Sequence, residues 1–171
     1  MNEQIRNNQT AVNVNEKANL IWSIADLIGQ GLYKPHEYGK VILPMTVIKR
    51  FDDVLKPTKQ KVLDTYEKVK HFEVKDGFLE KASRYSFFNI SPFTFDNLIA
   101  DSEHIETNFR TYLGGFSDNV QDIIENFEFD KEITKLANKA VTVPVVNLLT
   151  YFIGYSDNLL SWLYCHPIHL H

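Results

Sequence analysis

Between Tyr38 and Leu55 apolar side chains return every three or four residues: Tyr38, Val41, Ile42, Met45, Ile48, Phe51 and Leu55. That spacing is the period of an amphipathic helix and does not fit the alternation of a half-buried strand. Lys40, Lys49, Arg50 and Asp53 then fall mostly on the opposite, solvent-facing side. Pro44 sits inside the pattern. It has no N–H to offer the Lys40 carbonyl, so a kink or a split is expected between Leu43 and Met45. Pro35, just upstream, suits the first turn, where a missing N–H costs nothing.

The same period recurs along most of the chain. Ala18, Ile21, Ile24, Ala25 and Ile28 predict a first helix from about Glu16 to Leu27, capped by Asn15 and ended by Gly29 and Gly31. Beyond Lys56-Pro57, a helix over 58–69 would bury Val62, Leu63, Tyr66 and Val69, followed by a helical turn over 78–82. Further helices are expected over 94–101, over 103–113 (Ile105, Phe109, Leu113 inward, Ser102 as cap) and over 118–127 (Val120, Ile123, Ile124, Phe127 inward, Ser117 as cap). A last one opens at Asp130 with Ile133, Leu136 and Ala137. Gly114-Gly115 reads as a C-terminal cap. The exception is the aromatic run Tyr85 to Ile90, which points to one short extended segment near Phe87–Ile90. The fold class that follows is all-α or nearly so: a multi-helix bundle with short capped loops.

The two ends depart from this pattern. Residues 1–15 are polar, with five Asn and no apolar run, and read as a flexible N-terminus rather than a signal peptide. Of the 40 charged residues only Asp157 lies in 141–171. This tail is either a hydrophobic segment packed on the helices or the product of a lost reading frame. Pro144, Asn147 and Asp157-Asn158 interrupt it too often for a membrane span. The division is therefore 1–15, a helical domain over 16–140, and the atypical tail 141–171. The lone Cys165 fits a reducing cytoplasm.

Little in the sequence suggests chemistry. A net charge of −4 leaves any nucleic-acid contact to a local patch. Lys34, Lys40, Lys49 and Arg50 make such a cluster around the second helix, diluted by Asp52 and Asp53, and are the candidate DNA or partner contacts. His36-Glu37 would need a His where Lys40 stands to form a zinc helix. His166, His169 and His171 lack carboxylates to complete a metal site, so no metal is expected. Ser91-Pro92-Phe93 lacks the amide and second proline of the Asn-Pro-Pro-Phe motif. No glycine loop follows a strand, so no catalytic or cofactor-binding residue is expected. The 22 aromatic side chains exceed what a small helical monomer needs and suggest a docking face.

Several blocks together resemble the helical N-terminal domain of the modification (M) subunit of type I restriction-modification systems. They are Ala18 to Leu27, Tyr33 to Asp53, Phe87 to Ser91 and Asn108 to Ser117, in the family's order. The resemblance implies a part in adenine-N6 DNA methylation. In the family a following Rossmann-like domain binds S-adenosylmethionine through a Gly-rich turn and grips a flipped adenine with Asn-Pro-Pro-Phe. Neither motif occurs in this sequence. The resemblance thus implies a cytoplasmic assembly and DNA-clamp domain, truncated before the catalytic domain and inactive alone. Its implied partners are a specificity subunit, a second modification subunit and the enclosed DNA. The alternative is a freestanding helical binding module or regulator.

Overall fold

A computed structural model of the chain describes residues 33–137 apart from 99 and 102, together with positions 18, 19, 22, 23, 25, 26, 28 and 29, all helical. The polar N-terminus, the apolar tail, its histidine cluster and the expected caps Asn15 and Ser102 lie outside the described residues. In the first helix Ala25 and Ile28 are buried, as their spacing requires, and Trp22 is 67% exposed. Helical structure persists at Ile28 and Gly29, just past the expected end.

A single 3-10 turn, Pro35–Glu37, leads into α1 (Gly39–Leu55). Glu37 anchors the turn by accepting the Lys34 N–H at 3.0 Å. Pro44 does not split α1, which runs unbroken through it. The cost is one lost hydrogen bond, and the Thr46 hydroxyl reaches back to the Ile42 carbonyl at 2.7 Å, about half a turn from that gap. A second 3-10 turn, Lys56–Thr58, links α1 to α2 (Lys59–Val69), which packs chiefly on α3 (Asp76–Ser83). Arg84 ends α3 in the left-handed region, its N–H on the Glu80 carbonyl.

Residues 85–94 form no helix, with bends at Tyr85, Ser86 and Pro92 around an extended segment at Phe88–Ile90; then come α4 (Phe95–Leu98), α5 (Ile105–Gly114), α6 (Asp118–Asn126) and α7 (Phe129–Ala137). No strand forms among the described residues, and the extended segment makes only an isolated antiparallel bridge, Asn89 to Phe116. Its bonds are Ile90 N–H to the Gly115 carbonyl (2.7 Å) and Ser117 N–H to the Phe88 carbonyl (3.1 Å). The architecture is thus all-α, as the periodicity implies.

Two details differ from the sequence reading. Gly115 caps α5 at a negative φ, so left-handed geometry is not why glycine stands there. A Cβ at this position would lie 2.6 Å from the Ser91 nitrogen, and only glycine lets the extended segment come so close. Ser117 is the N-cap residue of α6, as expected, but its side chain makes no capping bond; its hydroxyl accepts the Phe88 N–H and donates to Asn119 Oδ1 instead.

The core joins α1, α4, α5, α6 and α7 and is centred on aromatics. Phe109 stacks on Tyr112 (centroids 6.2 Å, planes 12° apart) and meets Phe95 and Phe129 edge-on. A smaller core lies under the α2–α3 hairpin, built from Val62, Val69, Leu79, Ala82 and Phe88.

Candidate functional site

The buried stripe of α1 is Val41, Pro44, Met45, Ile48, Lys49, Asp52 and Leu55. Two charged residues therefore sit where only apolar ones were expected. Ile42, Phe51 and Tyr38 flank the stripe, partly buried against the core. The expected solvent-facing placement of Lys49 is corrected: it is only 3% exposed, and its amine pairs with Asp53 one turn on. α4 and α5 cover this side of α1, and the Lys49 ammonium lies 5.7 Å from the Phe95 ring centroid. Asp53 turns inward with it, its side chain 7% exposed.

Around this pair the structure assembles a buried polar network. The Tyr112 hydroxyl donates to Asp52 Oδ1 at 3.0 Å, sixty positions away in sequence. Asn89 donates its amide to the Tyr112 carbonyl at 3.0 Å and accepts the Ser91 N–H at 2.8 Å. Lys59, first residue of α2, reaches Asn89 Oδ1 at 2.9 Å and its carbonyl at 3.3 Å. Burial pushes the Asp52 carboxyl above its ordinary range, outweighing the Tyr112 hydrogen bond and the Lys49 charge. Burial, reinforced by the Asp52 charge, holds the Tyr112 hydroxyl well above its usual value. Burial lowers the Lys59 amine to about 8, against the pull of Asp52. Each polar group is spent on a neighbour within the fold, so the network pins α1, the extended segment, α2 and α5 together rather than presenting a reactive group.

The other candidate cations lie elsewhere. Lys34 and Lys40 are exposed, with the Lys40 amine 3.9 Å from Glu37, and Arg50 is half-buried. Lys135 on α7 shares Glu37 at 3.9 Å and sits 3.7 Å over the Tyr33 ring. Burial and the neighbouring Glu132 raise the Tyr33 hydroxyl above its usual value. The structure thus does not gather Lys34, Lys40, Lys49 and Arg50 on one surface. It brings out a wider asymmetry. Residues 33–84 hold twelve Lys and Arg against eight Asp and Glu, a formal +4; residues 85–137 hold three against ten, a formal −7. On the α2–α3 hairpin Lys61, Lys68, Lys81 and Arg84 are exposed and make no ion pair among the described residues. A running count of charge along the sequence would have shown this division, which the focus on a four-residue cluster missed.

Among the described residues no group of His, Cys, Asp and Glu could hold a metal, and no helix is long and apolar enough to cross a membrane. A family model for the HsdM N-terminal domain matches residues 17–149, 133 of the 171. The chain belongs to that family. It therefore carries the N-terminal domain of a type I restriction-modification M subunit, a methyltransferase subunit. No curated protein and no solved structure matches it. The match continues past residue 140, where the charge pattern had drawn a boundary. Three of the blocks that carry the resemblance meet at the buried network of this HsdM N-terminal domain. Asp52 comes from Tyr33 to Asp53, Asn89 from Phe87 to Ser91, and Tyr112 from Asn108 to Ser117.

Proposed function

We propose that this HsdM N-terminal domain is the protein-contact and DNA-enclosing element of a type I restriction-modification complex. Its partners there are a specificity subunit and a second modification subunit. It contributes no catalytic group to adenine-N6 methylation. The observation that carries the reading is the family match over 17–149. Two further features support it. The sequence does not contain the Asn-Pro-Pro-Phe string, so the domain's role is sought in contacts rather than in gripping the target base. The basic half, 33–84, offers exposed cations to a phosphate backbone: Lys34 and Lys40 near α1, and Lys61, Lys68, Lys81 and Arg84 on the hairpin. Lys49, spent on Asp53, leaves the contact set, and half-buried Arg50 stands at its margin.

The test is reconstitution with purified subunits. Mixed with a specificity subunit, an intact modification subunit and duplex DNA, the chain should co-elute with the complex. Alone it should transfer no labelled methyl group from S-adenosylmethionine to DNA. Methyl transfer by the isolated chain would overturn the reading. Failure to join the specificity subunit would favour a freestanding binding module.

A further inference from the structure

From Phe78 to Tyr85 the side chains that α3 and its C-terminal cap turn to solvent are Phe78, Lys81, Arg84 and Tyr85. Phe78 and Lys81 are three residues apart and share a helix face; Arg84 and Tyr85 follow at its end. The two rings are 52% and 45% exposed. Each is backed by a second ring: Phe72 meets Phe78 edge-on with centroids 6.0 Å apart, and Phe87 stacks on Tyr85 at 5.4 Å. Among the described residues neither Lys81 nor Arg84 makes an ion pair or a side-chain hydrogen bond. The single carboxylate in 78–85, Glu80, is half-buried and pairs with neither; exposed Glu73 and Asp76 lie before the row. Arg84 also holds a φ of 68°, in the left-handed region that favours glycine. Glu128, the other non-glycine residue there among those described, bonds Lys131 at 2.7 Å, whereas the Arg84 guanidinium serves nothing within the described fold. A strained position filled by a cation that the fold does not use points to a contact outside it.

Two half-exposed rings with two free cations between them match a chain that alternates planar bases with phosphates. An acidic peptide supplies the charge without a planar face for each ring. Duplex DNA supplies the phosphates but hides its base faces in the stack. The row from Phe78 to Tyr85 spans roughly 10 Å at the helical rise, the length of about three stacked nucleotides. We propose that this face of the hairpin binds single-stranded DNA, with bases on Phe78 and Tyr85 and phosphates on Lys81 and Arg84. The inference rests on the DNA-enclosing reading above and adds to it the form of DNA that the hairpin holds.

The probe is a fluorescent oligothymidylate of about eight nucleotides, titrated by anisotropy against the full chain at low salt. Saturable binding is expected, tighter than to a duplex of equal charge. Phe78→Ala/Tyr85→Ala should weaken it at least about tenfold. Arg84→Gly suits the backbone angle and keeps the fold, so its loss reads the contact alone; affinity should fall about threefold or more, with a salt slope shallower by about 0.7. Two controls remove the same kinds of group elsewhere: Trp22→Ala an exposed ring of the first helix, Lys131→Gln an exposed cation of α7. Each should shift affinity less than about twofold. The proposal is overturned by no saturable binding, by equal binding of the duplex or of a Glu-rich peptide of the same charge, by unchanged affinity in Phe78→Ala/Tyr85→Ala or Arg84→Gly, or by equal weakening in the controls. Co-elution with a specificity subunit, on which the proposed function stands or falls, is independent of each of these results.

Discussion

The two apolar cores of this domain differ in size and in what holds them. Among the described residues eighteen buried apolar side chains join the first helix to α1 and α4–α7, whereas the α2–α3 hairpin closes over five. The large core is cross-linked by aromatic contacts and by the Asp52–Tyr112 bond. The hairpin is tied to the rest mainly through Phe88, the Lys59–Asn89 bonds and the exposed Lys56–Asp96 ion pair at 2.7 Å, a kind of contact worth little in water. Local stability follows the number of buried apolar contacts, so the hairpin should open at lower free energy than the body it rests on. Among the described residues, the element carrying most of the exposed cations outside ion pairs is thus also the more easily detached one.

The sharpest way to break that comparison is to cut one large side chain from each core. Phe109→Ala removes a ring at the centre of the aromatic cluster and should lower global stability by about 3–5 kcal/mol in chemical denaturation. Leu79→Ala, in the hairpin core, should cost about 2–3 kcal/mol and raise amide hydrogen exchange mainly within 59–83, leaving α5 protected. Exchange that rises equally throughout the domain in Leu79→Ala would show one cooperative unit and end the distinction.

A second, smaller effect tests the charged stripe that cements the large core. Lys49→Met leaves the inward-turned Asp53 carboxylate without its partner and should cost roughly 3 kcal/mol. Adding Asp53→Leu should recover most of that loss, because an apolar pair of similar volume suits the site at least as well as an ion pair. A double variant no more stable than Lys49→Met would mean that Lys49 acts through its stem alone.

These charged positions also mark where the sequence stopped being legible. The inner faces of α5 and α7 (Ile105, Phe109, Leu113; Ile133, Leu136) are readable because apolar periodicity needs no knowledge of the partner element. Lys49 and Asp52 look like an outward face by type alone. What turns them inward is Tyr112 sixty positions away and Phe95 from α4, long-range contacts with no local trace. Gly115 is a similar case, since its reason is the approach of Ser91, not its own backbone angle. Ser117 shows a competition that propensity cannot settle: a hydroxyl suited to capping α6 bonds Phe88 instead. For the candidate site, the exposure of Lys34 and Lys40 followed from their place around the first turn of α1.

The smallest effect is a pH dependence lodged at the joint between the two cores. Lys59 begins the hairpin, yet its amine is spent on Asn89 within the polar network, and burial lowers it to about 8 from an ordinary value of 10.5. Between these values the unfolded chain binds a proton that the folded chain does not, so stability rises with pH across that window. The contribution is fully present above 10.5 and is lost as pH falls through about 8. Solvent reaching the half-buried amine reduces its size to about 2 kcal/mol. Lys59→Met removes the titrating group, so the difference between wild type and variant should shift in favour of wild type from pH 8 toward 10.5. Tyr112 and Tyr33, both raised, lose their own stabilisation as alkaline pH rises, but they do so in both proteins and cancel in the difference. A difference that stays flat across the window would place the Lys59 ammonium in solvent and detach the hairpin from the network that holds its first turn through the Asn89 bonds.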